Sequence, residues 1–337
     1  MYGSLSLERR IELLGKLGSY MESNDLEWMS AQDRAVQANA WFTPTHVALA
    51  IDNIVNELLQ KDKLEEWIAN YILPTHVKTV GIVMAGNIPL VGFHDFVCGF
   101  ISGHRLLLKL SSKDEALMKH ILLKLEEWEP EVGERVTIAE RLNNCDAYIA
   151  TGSNNTARYF EQYFGKYPHI IRRNRTSVAI LDGTETDEEL SLLADDVYLY
   201  YGLGCRNVTQ VCVPRGYNFA RLLTVFNKHH EYADLNKYKN NYDYHLAIYL
   251  LNRVPYMSNE SLLMVENEMP FSAVSVLHYK YYDNKEQLIT QLLHSEDIQA
   301  IIGKGFIPFG DSQKPGLSDY ADGVDTMAFL CELGASQ

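Results

Sequence analysis

Apolar positions follow two different spacings along the chain. Over the first 75 residues they recur at helix spacing: Val47, Ile51, Ile54, Val55 and Leu58 share one face behind the helix entry Thr43-Pro44-Thr45. From Val77 the pattern changes to short apolar runs separated by longer segments, and Val77–Met84, Arg105–Leu110, Val136–Ala139, Tyr148–Ala150 and Val178–Leu181 read as strands. Strands alternating with helical segments predict βαβ units and a mostly parallel sheet, an open α/β domain with its ligands at the carboxyl ends of the strands. That unit is expected to end near Gly183-Thr184. Thr186-Asp187-Glu188-Glu189 then has capping-box spacing, and Leu190, Leu193, Ala194, Val197 and Tyr201 continue as one helical face. The helix is expected to stop at Gly202-Leu203-Gly204-Cys205, where two glycines permit a tight turn that presents a side chain into a cleft. Further apolar runs at Thr209–Val213, Leu262–Val265, Ala273–His278 and Ile298–Ile302 predict a second α/β segment. The Tyr- and Asn-rich stretch Lys228–Tyr244 reads as a polar surface excursion.

Composition narrows the class. The 337 residues suggest about two domains, and 47% hydrophobic with 22% charged residues describes a folded globular chain. A net charge of −14 argues against a general nucleic-acid or anionic-membrane binder, so a phosphate-bearing ligand would need a local basic site. The longest apolar stretch, Gly81 to Gly103, is interrupted by Asn87, Pro89, His94 and Asp95 and fails as a membrane span. The opening Met1 to Arg10 lacks a basic region followed by an apolar run, so no secretory signal and a cytoplasmic location are expected. The five cysteines form no CxxC pair and suggest neither a disulfide framework nor a zinc site. No His/Asp/Glu grouping has metal-ligand spacing.

Cys205 is the sharpest chemical candidate. A thiolate forms most readily at an exposed, electropositive or helix-terminal position, and Gly202-Leu203-Gly204-Cys205-Arg206 offers backbone freedom before the thiol and a cation after it. The plainer reading, a cysteine acting as a small core hydrophobe, fits Cys98 and Cys212 within their apolar runs. Asn87, just past the strand Val77–Met84, is either a neutral donor suited to an oxyanion or an asparagine that only shapes its turn. Lys109, at the end of Arg105–Leu110, can reach phosphate or ribose oxygens or simply extend to solvent. Thr151-Gly152-Ser153 is a strand-to-helix entry whose N–H groups suit a pyrophosphate, or an ordinary N-cap. Arg172-Arg173-Asn174-Arg175, the densest positive cluster, is either a phosphate site or a solvated face. Lys228 and His229-His230 read as solvated.

In this order the pieces resemble the aldehyde dehydrogenase superfamily and, more closely, its acyl-CoA reductase branch of the LuxC type, over nearly the whole chain. Gly86-Asn87-Ile88-Pro89 resembles the superfamily's asparagine-bearing strand exit, and Lys109-Leu110-Ser111-Ser112 its Lys-Pro-Ser-Glu ribose segment. Thr151-Gly152-Ser153 resembles its pyrophosphate turn and Gly202-Leu203-Gly204-Cys205 its nucleophile loop. Glu268 falls at the nicotinamide-ribose glutamate, and Asp322-Gly323-Val324-Asp325 resembles the end of acyl-CoA reductases. The resemblance implies an aldehyde-dehydrogenase-like fold: helices and an NAD(P)-binding domain over 1–183, a catalytic cysteine domain over 184–309, and a segment 310–337 packing back on the body. Two departures stand out. The superfamily's Glu-Leu-Gly-Gly segment aligns with Ile171-Arg172-Arg173-Asn174, so the base that activates hydrolytic water is missing, and Ser112 replaces the ribose-binding glutamate.

The implied activity is NADPH-dependent reduction of an acyl-CoA to a fatty aldehyde through acyl-Cys205, with Asn87 in the oxyanion hole and Lys109, Ser112, Thr151, Gly152, Ser153 and Glu268 holding the cofactor. NADH is the alternative cofactor, and CoA the leaving group. Competing readings are a CoA-independent aldehyde dehydrogenase, a thiol hydrolase and a catalytically silent nucleotide-binding protein. The expected partner is the acyl-CoA itself, with a homo-oligomer as the default and no nucleic acid or membrane.

Overall fold

The computed structural model describes residues 5–335, so Met1–Ser4, part of the segment read for a leader, lie outside the described residues. The chain divides into two compact units, Met1–Asn174 with Lys314–Gln337, and Arg175–Gln313.

The first unit opens with α1 (Leu7–Met21), α2 (Leu26–Ala38), α3 (Pro44–Leu58) and α4 (Lys61–Ile68). Their starts follow local chemistry: Ser6, Asp25 and Thr43 cap the first three by accepting backbone N–H groups, and Pro44 stands at the beginning of α3. There follow β1 (Thr79–Val83), α5 (Phe93–Ser102), β2 (Arg105–Lys109), α6 (Ala116–Trp128), α7 (Glu131–Arg135), β3 (Val136–Ile138), β4 (Ala147–Thr151), α8 (Asn154–Phe164) and β5 (His169–Arg172). These strands form a parallel five-stranded sheet in the order β3-β2-β1-β4-β5. Strand order reverses direction between β1 and β4, the switch point where open α/β sheets take their ligands. Helix α5 is buried along nearly its whole length, Phe93, Phe96, Val97, Phe100 and Ile101 filling the space beside β1 and β2.

The second unit holds β6 (Thr176–Ile180), α9 (Asp187–Tyr198), β7 (Val208–Pro214), α10 (Phe219–Phe226), α11 (Asn236–Asn252), β8 (Met257–Ser258), β9 (Leu263–Glu266), β10 (Val276–Tyr282), α12 (Lys285–Leu293) and β11 (Ile298–Ile302). Its six-stranded sheet runs β11-β6-β7-β10-β9-β8, parallel except for the edge strand β8. The last helix, α13 (Thr326–Leu333), belongs to the first unit, where it packs on α5.

Several expectations are corrected. The boundary falls after Asn174, not near 183, because the run Val178–Leu181 pairs with β7 and β11 and so belongs to the second sheet. Strand β5 runs into the arginine cluster and ends on its first member; its Ile170 and Arg172 are both buried. Strand β10 extends four residues past His278, through Tyr279 to Tyr282, whose aromatic side chains suit a pleated surface. The supposed polar excursion at 228–244 is helical, and Tyr238 and Tyr242 are buried. His229 is buried too, its Nε2 2.7 Å from Asp195, the carboxylate that also receives Lys228.

Candidate active site

The carboxyl ends of three neighbouring strands carry the predicted cofactor and amide positions. Val83, the last residue of β1, is in register with Lys109 of β2 and Ala150 of β4, so Lys109, Asn87 and Thr151 leave the sheet from the same edge. The β1 exit is tied down by the Met84 N–H, which donates to the Lys109 carbonyl at 3.0 Å. Asn87 and Ser112 are exposed in the turns after β1 and β2. Thr151 ends β4, Gly152 follows, and Ser153 is the N-cap of α8, its Oγ accepting the Thr156 N–H at 3.3 Å. Ser153 therefore uses its hydroxyl to start the helix. A Cβ on Gly152 would sit 3.0 Å from Phe160 and 3.1 Å from Thr156, so a larger residue would crowd this entry. The switch point, the helix entry at α8 and the exposed Lys109 fit a dinucleotide.

The arginine cluster separates. Arg172 is buried, paired with Asp95 of α5, and donates through Nη2 to Thr326 Oγ1 of α13 at 2.7 Å. Burial works against its charge, but Asp95 outweighs burial and holds the pKa above the ordinary value. Arg172 is thus committed to packing, while Arg173 is exposed beside Glu161 and Arg175 donates to the Ile298 carbonyl.

In the second unit, Cys205 lies in the turn between α9 and β7. The chain takes left-handed backbone angles at Tyr200, Tyr201 and Gly202 in succession, with φ of 53°, 58° and 73°. The tight turn therefore draws on two tyrosines as well as a glycine, and both tyrosine side chains are buried. Asn207, fully buried, stitches the turn: its Oδ1 accepts the Gly204 N–H at 2.8 Å, and its Nδ2 donates to the carbonyls of Asp196 and Leu199 at 3.1 and 2.8 Å. The Cys205 carbonyl accepts the Ser177 hydroxyl of β6 at 3.1 Å. Sequence reading missed Asn207, whose only linear signal is an asparagine entering an apolar strand.

Glu268 is exposed in the loop after β9. That loop is fastened back to the sheet: Gln210 donates to the carbonyls of Asn267 and Met269, and Thr209 Oγ1 donates to the Pro270 carbonyl at 2.6 Å. Thr209 also shares a hydrogen bond with Thr176, so the Glu268 loop and the Cys205 turn are both anchored around the start of β7.

Among the thiols, burial pushes Cys98 well above the ordinary value, Cys212 up to about 12, Cys331 up to about 11, and Cys145 upward as well. Those groups are held as neutral thiols. Cys205 is half-buried in a built turn. Among the described residues no group of His, Cys, Asp and Glu is arranged to hold a metal, and no helix is long and apolar enough to cross a membrane.

Solved structures place the fold. An oxidoreductase from Marinobacter aquaeolei superposes with a TM-score of 0.69 at 10% identity, covering 90% of this chain and 74% of that one. An indole-3-acetaldehyde dehydrogenase of P. syringae, solved in complex with NAD+, gives 0.64 at 12% identity, covering 88% and 72%. An aldehyde dehydrogenase from Bacillus cereus gives 0.62 at 14%, with coverage of 88% and 72%. The fold is that of the aldehyde dehydrogenases. A search of curated proteins finds no match. The acyl-CoA reductase (LuxC) family model matches residues 23–219, more than half of the chain and all of the region from Asn87 to Cys205. On that match, the chain belongs to the acyl-CoA reductase (LuxC) family.

Proposed function

We propose that the protein reduces an acyl-CoA thioester to an aldehyde, with NADPH as reductant and Cys205 as the nucleophile. The Cys205 thiolate attacks the thioester carbon, forming a new C–S bond. The Asn87 amide and the Cys205 N–H donate to the oxyanion, which collapses as the bond to CoA breaks and the CoA thiolate leaves. The nicotinamide, when bound, supplies the hydride that takes the acyl group to the aldehyde level, and the C–S bond to Cys205 then breaks, returning the thiolate with which the cycle began. Lys109 and Ser112 would hold the adenosine ribose, the Thr151-Gly152-Ser153 entry the pyrophosphate, and Glu268 the nicotinamide ribose. Ser112 favours the phosphorylated cofactor, because a glutamate there would repel a 2′-phosphate whereas a hydroxyl can donate to it.

The observation that carries this reading is the cysteine turn. Cys205 is half-buried in a turn shaped by the left-handed Tyr200 and Tyr201 and held by the buried Asn207. The absence of a carboxylate at residues 171–174 favours release to a thiol over release to water. Mixing the protein with a long-chain acyl-CoA and no cofactor is expected to add the mass of one acyl group at Cys205. Adding NADPH should then consume cofactor and release aldehyde, with kcat/KM higher than for NADH. Cys205→Ala is expected to lose both signals while still binding NADPH. Thiol release without cofactor oxidation would indicate a hydrolase, cofactor binding without turnover a silent nucleotide-binding protein, and labelling at Cys98 or Cys212 would remove Cys205 from its role.

A further inference from the structure

We propose that Asp114 is a positioning residue for Asn87, clamping the turn after β1 to the turn after β2. The inference rests on the reading of Asn87 as an oxyanion donor. Asp114 is buried, 8% exposed, and its Oδ2 accepts the Leu90 N–H at 2.7 Å across 24 residues of chain. Leu90 has a left-handed φ of 55°, is itself buried, and its carbonyl accepts the Phe93 N–H at 2.9 Å where α5 begins. The Asp114 carboxyl thus holds the far side of the Asn87 turn in a conformation that leucine adopts at a cost. The near side is pinned at Gly86, where a Cβ would fall 2.5 Å from Ser111 Oγ and 3.1 Å from Asp114 Cβ. Asn87 stands between these two fastenings.

The clamp is braced from its own side. The Asp114 N–H donates to the Ser111 carbonyl at 3.0 Å, and Asn39 Nδ2 to the Lys113 carbonyl at 3.1 Å. Asp114 Oδ1 is buried with no partner among the described residues. An apolar residue here would leave the Leu90 N–H buried and unsatisfied, whereas an amide could replace the carboxyl. Burial pushes the carboxyl up to about 8, opposed by the Leu90 N–H, so it is chiefly the neutral acid at pH 7. Charged and titratable groups on the surrounding segments are otherwise engaged or exposed. Glu115 pairs with Lys119, Asp95 with Arg172, His94 bonds the Leu317 carbonyl, and Lys109 and Lys113 are exposed.

The test follows the rate at which acyl-CoA acylates Cys205 in the absence of cofactor, in the full chain. Asp114→Ala is expected to slow acylation by about tenfold to a hundredfold, the cost of misplacing a group at the reacting centre. Asp114→Asn should stay near the wild-type rate at pH 7. The double variant Asn87→Ala with Asp114→Ala should be no slower than Asn87→Ala alone. Where Asp114→Ala does not fold, Asp114→Ser decides the matter, because its hydroxyl is too short to reach the Leu90 N–H and acylation should be slowed alike. Wild-type acylation by Asp114→Ala or Asp114→Ser, or additive losses in the double variant, would overturn the clamp and leave the role of Asn87 standing. An unchanged rate in Asn87→Ala would overturn both.

Discussion

Asp196 joins the cysteine turn to the chain beyond β11. Its backbone carbonyl accepts from Asn207, while its carboxylate accepts the N–H groups of Gly310 and Ser312 at 2.8 and 3.1 Å. Burial pushes this carboxyl up to about 6 despite those hydrogen bonds, and the neighbouring Asp195 charge adds to the rise. Asp195 itself moves the other way: burial raises it, but His229 and Lys228 together pull it below the ordinary value. Because the folded pKa of Asp196 is raised, the unfolded chain loses its proton first as pH increases. Stability from this group is therefore lost between pH ~4 and ~6, by about 3 kcal/mol, and levels off above. Denaturant unfolding at pH 4, 5, 6 and 7 is expected to show a shallower decline over that window in Asp196→Asn than in wild type. Parallel curves would mean that Asp196 ionises alike in both states. None of this is legible in the sequence, where Asp195-Asp196 is simply an acidic pair in an amphipathic helix.

At the scale of elements, Arg172 binds a strand to two helices: β5 supplies the guanidinium, α5 the Asp95 carboxylate and α13 the Thr326 hydroxyl. Removing one member of a buried ion pair leaves the other charge uncompensated, so Asp95→Ala is expected to destabilise the protein by about 3–5 kcal/mol. A loss below about 1 kcal/mol in denaturant titration would show that water reaches the guanidinium and that the pair does not hold α13 in place. Elements with a clear period were legible in advance: α3 behind Thr43-Pro44, α9 with its capping box, and β1, β2, β7 and β11 close to their observed bounds. Strand β5 was hidden because its arginine looks like surface until Asp95 is brought against it. Helix α11 was hidden because its core face is tyrosine, a residue whose ring can be buried while its hydroxyl finds a partner, as Tyr242 does with Ser258 at 2.7 Å.

Across the whole molecule, the missing carboxylate at residues 171–174 makes a claim about direction. Ile171 and Arg172 are half-buried and buried in β5, and neither can take a proton from water. A general base contributes about 10²–10⁴ to such a step, so oxidation of free aldehyde without CoA is expected to run at under about a hundredth of the CoA-supplemented rate. Vigorous acid formation without CoA, followed by NADPH production, would reveal a substitute base elsewhere in the chain. The sequence alone determined what depends on short-range chemistry: the helices and strands with a clear period, the turn residues at the strand exits, and the thiol that follows Gly202 and Gly204. Those features arise from residues within a few positions of one another, so a linear reading reaches them. Tertiary structure decided what depends on distant partners. It assigned β6 to the second sheet, buried Arg172 against Asp95, pushed Asp114 and Asp196 upward in pKa, and made Asn207 the stitch of the cysteine turn. Burial and long-range hydrogen bonding set each of these, and neither exists until the chain has folded.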